Sequence, residues 1–187
     1  MSKKAFVFLA DGFEEVEALT PVDYLRRADI ETITVSINGK EAVHGSHKIT
    51  VLADRILEQI DRKEFQAADV FVLPGGMKGA QNLSQNGILD DVLKEANLSG
   101  KLIAAICASP AVVLDAKGIL DGKIFTCYPE MEKSVKKASY SLKRVVADGN
   151  LITARAAGTS AEFAIAIVEK LSGKEVADKI SQAVLLK

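Results

Sequence analysis

The chain has 187 residues, 48% of them hydrophobic and 26% charged; this is no disordered composition, and it predicts one folded domain over residues 1–187. Its 24 lysines and arginines nearly cancel 25 aspartates and glutamates, leaving a formal charge of -1, so no global field favours nucleic acid or an anionic membrane. No apolar run approaches the roughly 20 residues of a membrane-spanning helix, and two cysteines make no disulfide framework, so a soluble protein of the reducing cytoplasm is expected.

Ala5 to Ala10 is continuously apolar and stops at Asp11-Gly12, the pattern of a buried strand rather than a signal peptide. From Phe13 to Ala28, the residues Phe13, Val16, Tyr24 and Ala28 fall on one side at helical spacing. Glu15, Arg26 and Arg27 lie away from the centre of that side, whereas Glu17 falls inside it. Pro21 is expected either to kink this helix or to begin a second piece capped by Thr20. Thr32 to Ile37 reads as a strand closed by Asn38-Gly39, and His47 to Leu52 as added strand at an edge. Asp69 to Leu73 is another buried strand, ending at Pro74-Gly75-Gly76, with helical periodicity from Leu83 to Leu98. Leu102 to Ile106 repeats the pattern and leads through Cys107 into a helix from Ser109 to Lys117, ended by Gly118. Ile124 to Ala154 reads as strands, with a turn at Asp148-Gly149-Asn150, and Thr159 to Leu171 as a helix closed by Ser172-Gly173. Such alternation predicts a mostly parallel α/β sheet with helices on both faces.

In open parallel sheets ligands bind at the carboxyl ends of the strands, which directs attention to Asp11-Gly12, Pro74-Gly75-Gly76 and Cys107. The run Leu102-Ile103-Ala104-Ala105-Ile106-Cys107-Ala108-Ser109-Pro110 has the form of a nucleophile elbow: small residues allow a sharp turn, Ser109 is a candidate cap, and Pro110 suits a first helical position. A thiol at a helix N-terminus is expected to fall from about 8.5 toward roughly 3.5–7.5. The competing reading, a small buried hydrophobe, is the one adopted for Cys127. Glu17 on a core-facing stripe needs a proton or a partner; with a raised pKa it can hydrogen-bond the Cys107 sulfur or carry protons. The alternative is a surface glutamate at the edge of the stripe. Glu14 and Glu15 are assigned to the electrostatics of the helix N-terminus. Gly75-Gly76 permits close backbone approach, and N–H groups there and at Ala108 are candidates for an oxyanion hole. The pattern matches neither a dinucleotide fold nor a phosphate loop. His44 and His47 are the only histidines; with no companion ligand signature they read as loop residues, no metal is expected, and a Cys-His protease pair is not supported.

These residues resemble the DJ-1/PfpI superfamily, and within it the DJ-1/ThiJ branch. The resemblance covers nearly the whole chain. It rests on Phe8-Leu9-Ala10-Asp11-Gly12-Phe13-Glu14-Glu15-Val16-Glu17, Val72-Leu73-Pro74-Gly75-Gly76, Gly79-Ala80-Gln81-Asn82-Leu83, Ala104-Ala105-Ile106-Cys107-Ala108-Ser109-Pro110, and Gly158-Thr159-Ser160 with Glu162-Phe163-Ala164. It implies a flavodoxin-like three-layer sandwich, a homodimer, no cofactor, and an elbow cysteine, Cys107, whose thiolate is hydrogen-bonded by a protonated Glu17 and faced by the N–H groups of Gly76 and Ala108. Arg27 matches a family arginine near an anion site by the dimer interface, but the second arginine of that site is His47 here. Many relatives place a histidine near the cysteine where this chain has Tyr128, within Thr126-Cys127-Tyr128-Pro129. A phenol does not replace an imidazole as a base near neutral pH, so slow turnover is expected.

Activities implied by the resemblance are cofactor-independent conversion of methylglyoxal to lactate, repair of early glycation adducts, chaperone activity and oxidative-stress sensing. A link to thiamine biosynthesis, which the ThiJ label suggests, finds no supporting residue. The leading expectation is an enzyme acting on α-oxoaldehydes, free or as early adducts, through Cys107 and Glu17. The alternative is a redox sensor or chaperone acting through oxidation of Cys107.

Overall fold

A computed structural model describes residues 3–186. In β1 (Lys4–Leu9) the side chains alternate, Phe6 and Phe8 entering one apolar layer and Ala5, Val7 and Leu9 the other. A strand that is apolar on both faces belongs at the centre of a sheet covered on both sides. In chain order there follow α1 (Glu15–Arg27), β2 (Glu31–Ser36), β3 (Ala42–His44), β4 (Thr50–Leu52), β5 (Arg55–Ile56), α2 (Arg62–Gln66), β6 (Val70–Leu73), α3 (Met77–Gln85) and α4 (Gly87–Leu98). The remainder comprises β7 (Leu102–Ile106), a π-helical turn (Pro110–Leu114), β8 (Ile124–Phe125), β9 (Ser139–Tyr140), β10 (Val145–Asp148), β11 (Leu151–Ala154), α5 (Ser160–Ser172) and α6 (Lys174–Ala183).

Seven strands form the main sheet in the order β10-β11-β7-β6-β1-β2-β5. Every pair is parallel except β10 with β11. The chain leaves β1 toward β2 on one side and later returns to β6 on the other, so the order reverses at β1, the flavodoxin-like switch point where ligand crevices form. Helices α1, α5 and α6 cover one face, and α2, α3, α4 and the π-helical turn cover the other, completing the expected three-layer sandwich. On the second face Phe6, Phe8, Phe65 and Phe71 form a ring cluster with centroids 5.0–6.5 Å apart. Among the described residues no helix is long and apolar enough to cross a membrane.

Several local expectations are corrected. Helix α1 runs unbroken through Pro21 and buries Glu15, Glu17, Ala18, Pro21, Val22 and Leu25. Val16, counted in the apolar stripe, is exposed, whereas Glu15, counted outside it, is buried. The segment from His47 to Leu52 adds nothing to the main sheet; β4 pairs antiparallel with β3 as a separate hairpin, and His47 lies in its turn. The periodicity from Leu83 to Leu98 spans two helices, because the Asn86 side chain accepts the Leu89 N–H at 2.9 Å and caps α4. Helices α2 and α6 are additions that the sequence reading does not contain.

Candidate active site

The turns after β1, β6 and β7 lock together through their backbones. The Glu14 N–H donates to the Gly75 carbonyl at 3.0 Å and the Gly79 N–H to the Gly12 carbonyl at 3.1 Å. Ser109 makes no helix cap; its hydroxyl donates to the Pro74 carbonyl, tying the third turn to the second. Cys107 sits at the tip with φ 64°, a left-handed conformation that costs a residue with a β-carbon about 1–2 kcal/mol. Two contacts over-determine it: its N–H donates to the Ala154 carbonyl at 3.0 Å, and its own carbonyl accepts the Tyr128 N–H at 2.9 Å. This strained junction between strand and helical turn is the geometry of a nucleophile elbow.

Glu17, in the first turn of α1, is 1% exposed and is the hydrogen-bond partner of the Cys107 thiol. The helix begins where it does because Glu14 caps it, its carboxylate accepting the Glu17 N–H at 2.7 Å. The Glu17 carboxyl also accepts the Gly75 N–H at 2.9 Å and the Ala157 N–H. Gly75 therefore serves the carboxyl, while the N–H groups of Gly76 and Ala108 face the sulfur. Gly75 has no space for a side chain: a β-carbon there would lie 2.6 Å from Cys107 Cβ and collide with Glu17 Oε2. Gly76, at φ 81°, combines a left-handed backbone with a β-carbon direction blocked by the backbone at Gly12, Phe13 and Glu14.

Burial, reinforced by the charge of Glu14, raises the Glu17 pKa to about 7 against the pull of its hydrogen-bond donors. Cys107 departs from the sequence expectation: burial, then the charge and hydrogen bond of Glu17, push the thiol up to about 12, and the Gly76 and Ala108 N–H groups offset only part of this. The elbow's N–H groups do favour thiolate, but the same pocket holds a carboxyl that competes for the charge. Glu17 and Cys107 each raise the cost of ionising the other, so the pocket holds one negative charge that belongs to the pair. A thiolate then arises by passing the thiol proton to Glu17. The arrangement can thus generate a nucleophile beside a proton carrier and two N–H donors.

Cys127 is fully buried and its thiol is likewise pushed up to about 12, by burial and then Glu132. Tyr128 is half-exposed and is held at the site by its backbone N–H. Arg27 and His47 do not meet within one chain. Arg27 pairs with Asp23 at 2.7 Å; His47 pairs with Glu15 at 2.9 Å, roughly 18 Å away along α1 at 1.5 Å per residue.

Glu15 is a polar anchor absent from the sequence reading. It accepts the His47 N–H at 2.7 Å, the Ile49 N–H at 3.4 Å and the Ser46 hydroxyl at 3.2 Å. Burial pulls its pKa upward, but the hydrogen bonds from the His47 side chain and from the His47 and Ile49 backbone outweigh this and hold it below the usual range. Its partners lie about thirty residues downstream, so the only local signal is the phase of α1, which the apolar Val16 obscures.

A sequence profile of the DJ-1/PfpI family matches residues 3–170. Protein dj-1beta of Drosophila melanogaster is 43% identical over 188 aligned residues, covering 100% of this chain and 98% of that protein. Its crystal structure superposes with a TM-score of 0.94 at 42% identity, covering 99% of this chain and 98% of that one. The structure of Toxoplasma gondii DJ-1 in an oxidized form gives a TM-score of 0.94 at 35% identity, covering 98% of each chain. The glutathione-independent glyoxalase DJR-1.2 of Caenorhabditis elegans is 30% identical, covering 98% of this chain and 97% of that protein.

Proposed function

Since the chain belongs to the DJ-1/PfpI family, we propose that it is a cofactor-independent enzyme that converts α-oxoaldehydes, free or as early glycation adducts, to hydroxy acids. The observation that carries this reading is the strained Cys107 hydrogen-bonded to a buried Glu17 whose pKa lies at about 7. A carboxyl matched to neutral pH can both take and return a proton. The glyoxalase among its relatives supports the same class of chemistry.

In the reaction, Glu17 accepts the thiol proton as the Cys107 sulfur attacks the aldehyde carbon, forming a C–S bond and an alkoxide. The Gly76 and Ala108 N–H groups stabilise that oxygen until Glu17 protonates it to a hemithioacetal. Glu17 then removes the proton from C1, and the electron pair moves into an enediol. Reprotonation at C2 gives a 2-hydroxy thioester. C1 is thereby oxidised and C2 reduced within one molecule, so no external oxidant or cofactor is consumed. Water cleaves the C–S bond, releasing the hydroxy acid and restoring the thiol. Beside Cys107 the chain carries the phenol of Tyr128 rather than an imidazole, the usual general base, and slow turnover is the expected consequence. The reading includes a homodimer in the reducing cytoplasm; the exposed Val16, Leu19 and Ile49 beside the Glu15 hairpin offer an apolar face for the second copy.

A second reading is favoured by the oxidized relative: oxidation of Cys107 by peroxide to a sulfinic acid, stabilised by Glu17 and the same N–H groups, as a redox signal that alters dimer contacts or chaperone behaviour. The test is lactate formation from methylglyoxal over many turnovers, in buffer free of small thiols, with Cys107→Ser and Glu17→Gln alongside. Lactate lost in Cys107→Ser supports the enzyme. Wild-type output no higher than that of Cys107→Ser rejects it for this substrate and turns attention to peroxide titration.

A further inference from the structure

Beside the Cys107 pocket, the start of α1 and the turn of the β3–β4 hairpin bring together three metal-ligating side chains that the proposed reaction does not use. His47 Nδ1 lies 2.9 Å from Glu15 Oε2 and 3.9 Å from Glu14 Oε1, and the three donor atoms all fall within 4.8 Å of one another. Each carboxylate has one oxygen fixed by backbone N–H groups: Glu14 Oε2 by Glu17, and Glu15 Oε1 by His47 and Ile49. The remaining oxygen of each is turned toward the imidazole. Behind Glu15 the hairpin leaves no room for retreat, since a β-carbon at Gly45 would collide with its carboxylate. The Ser46 hydroxyl closes the group, 3.2 Å from Glu15 Oε2 and 3.1 Å from His47 Nδ1.

We infer that Glu14, Glu15 and His47 form a binding site for one divalent first-row transition-metal ion, the class represented by Zn2+. Metal–donor bonds of about 2.0–2.2 Å in a tetrahedral site place donors roughly 3.3 Å apart, a value bracketed by the 2.9 and 3.9 Å found here. The His47 side chain, 70% exposed, can make the adjustment while the buried Glu15 stays fixed. An imidazole nitrogen selects Zn2+ or its neighbours over Mg2+ and Ca2+, which prefer all-oxygen sites. Two carboxylates cancel the charge of the ion, and fixed second oxygens orient the donors as outer-shell contacts do in metal sites. With three protein donors, the fourth position is left to water or to Ser46.

The test is calorimetric titration of the full-length, metal-stripped protein with Zn2+, comparing wild type, His47→Asn, Glu14→Gln and Cys107→Ser. The expected result is one ion per chain, at least tenfold weaker binding in His47→Asn and in Glu14→Gln, and unchanged binding in Cys107→Ser. Thermal unfolding without metal verifies that each variant is folded. Co2+ provides a second readout: its spectrum must lack a thiolate charge-transfer band, and 15N NMR must show His47 Nδ1 shifting on addition of Zn2+. Absence of binding to wild type at millimolar Zn2+, affinity unaffected by His47→Asn, or binding lost in Cys107→Ser overturns the assignment.

Discussion

Gly75→Ala perturbs the reactive pair without changing either member. Gly75 does not have a positive φ, so the substitution acts through contacts rather than backbone strain. The new methyl group would lie 2.6 Å from Cys107 Cβ and 3.1 Å from its sulfur. Carbon atoms rest at about 3.5–4.0 Å, so Cys107 and Glu17 must separate by about 1 Å or the turn must shift. Overpacking of this kind costs about 1–3 kcal/mol, and in a chain of this length each kcal/mol lowers Tm by about 2–4 °C. A misplacement of about 1 Å in a reacting geometry costs about 100-fold in rate. The expected outcome is a stability loss measurable by urea titration together with a fall of about 100-fold in kcat/KM for methylglyoxal. Gly87→Ala is the control: no neighbour lies within 4 Å of its β-carbon position, and inside α4 it should be neutral or stabilising by up to about 1 kcal/mol. A Gly75→Ala protein with wild-type Tm and a wild-type rate of Cys107 alkylation would refute the packing argument, whatever the turnover.

Three further outcomes are expected. Because the folded-state pKa of Glu17 is raised from 4.5 to about 7, its contribution to stability is present below pH 4.5 and lost as pH rises through 7. The loss is about 3 kcal/mol at 1.36 kcal/mol per pKa unit; urea melts from pH 4.5 to 8 should show it in wild type but not in Glu17→Gln, and equal pH slopes would contradict it. Iodoacetamide on native protein should modify Cys107 and spare Cys127, which is fully buried; peptide mass spectrometry reads the ratio, and equal labelling would mean that the segment around Cys127 opens readily. Glu15→Ala should cost about 1–3 kcal/mol through unpaired hairpin groups and speed amide exchange at His47 and Ile49, whereas unchanged exchange would show that the hairpin holds itself.

The elbow was legible because its determinants are contiguous: an apolar strand, small residues around Cys107, and Pro110 at the first helical position. Glu17 was legible because an acid within an apolar stripe is a local anomaly. The electrostatics of the thiol were only half legible, since its pKa depends on a carboxylate brought alongside by the fold as much as on the elbow's own N–H groups. The sheet alternation was readable from β1, β6 and β7, whose residues are apolar on both faces. The break at Asn86 escaped periodicity because two helices kept similar phase across a cap. Glu15 and Val16 exchanged their expected places because the hairpin covers one side of α1 and leaves the other bare.

The reactive pair joins segments far apart in the chain: the hydrogen bond from Gly75 to Glu17 alone spans 58 residues. Parallel pairings of such separation are late and slow events in folding, because loop closure must precede the contacts that reward it. Until β1, β6 and β7 are in register, Cys107 is an ordinary thiol on an open chain, without Glu17 and without the Gly76 N–H group. A newly made or heat-opened molecule therefore lacks the pair that tunes this sulfur, and the time at which Cys107 acquires its native alkylation rate is a direct clock for the last stage of folding.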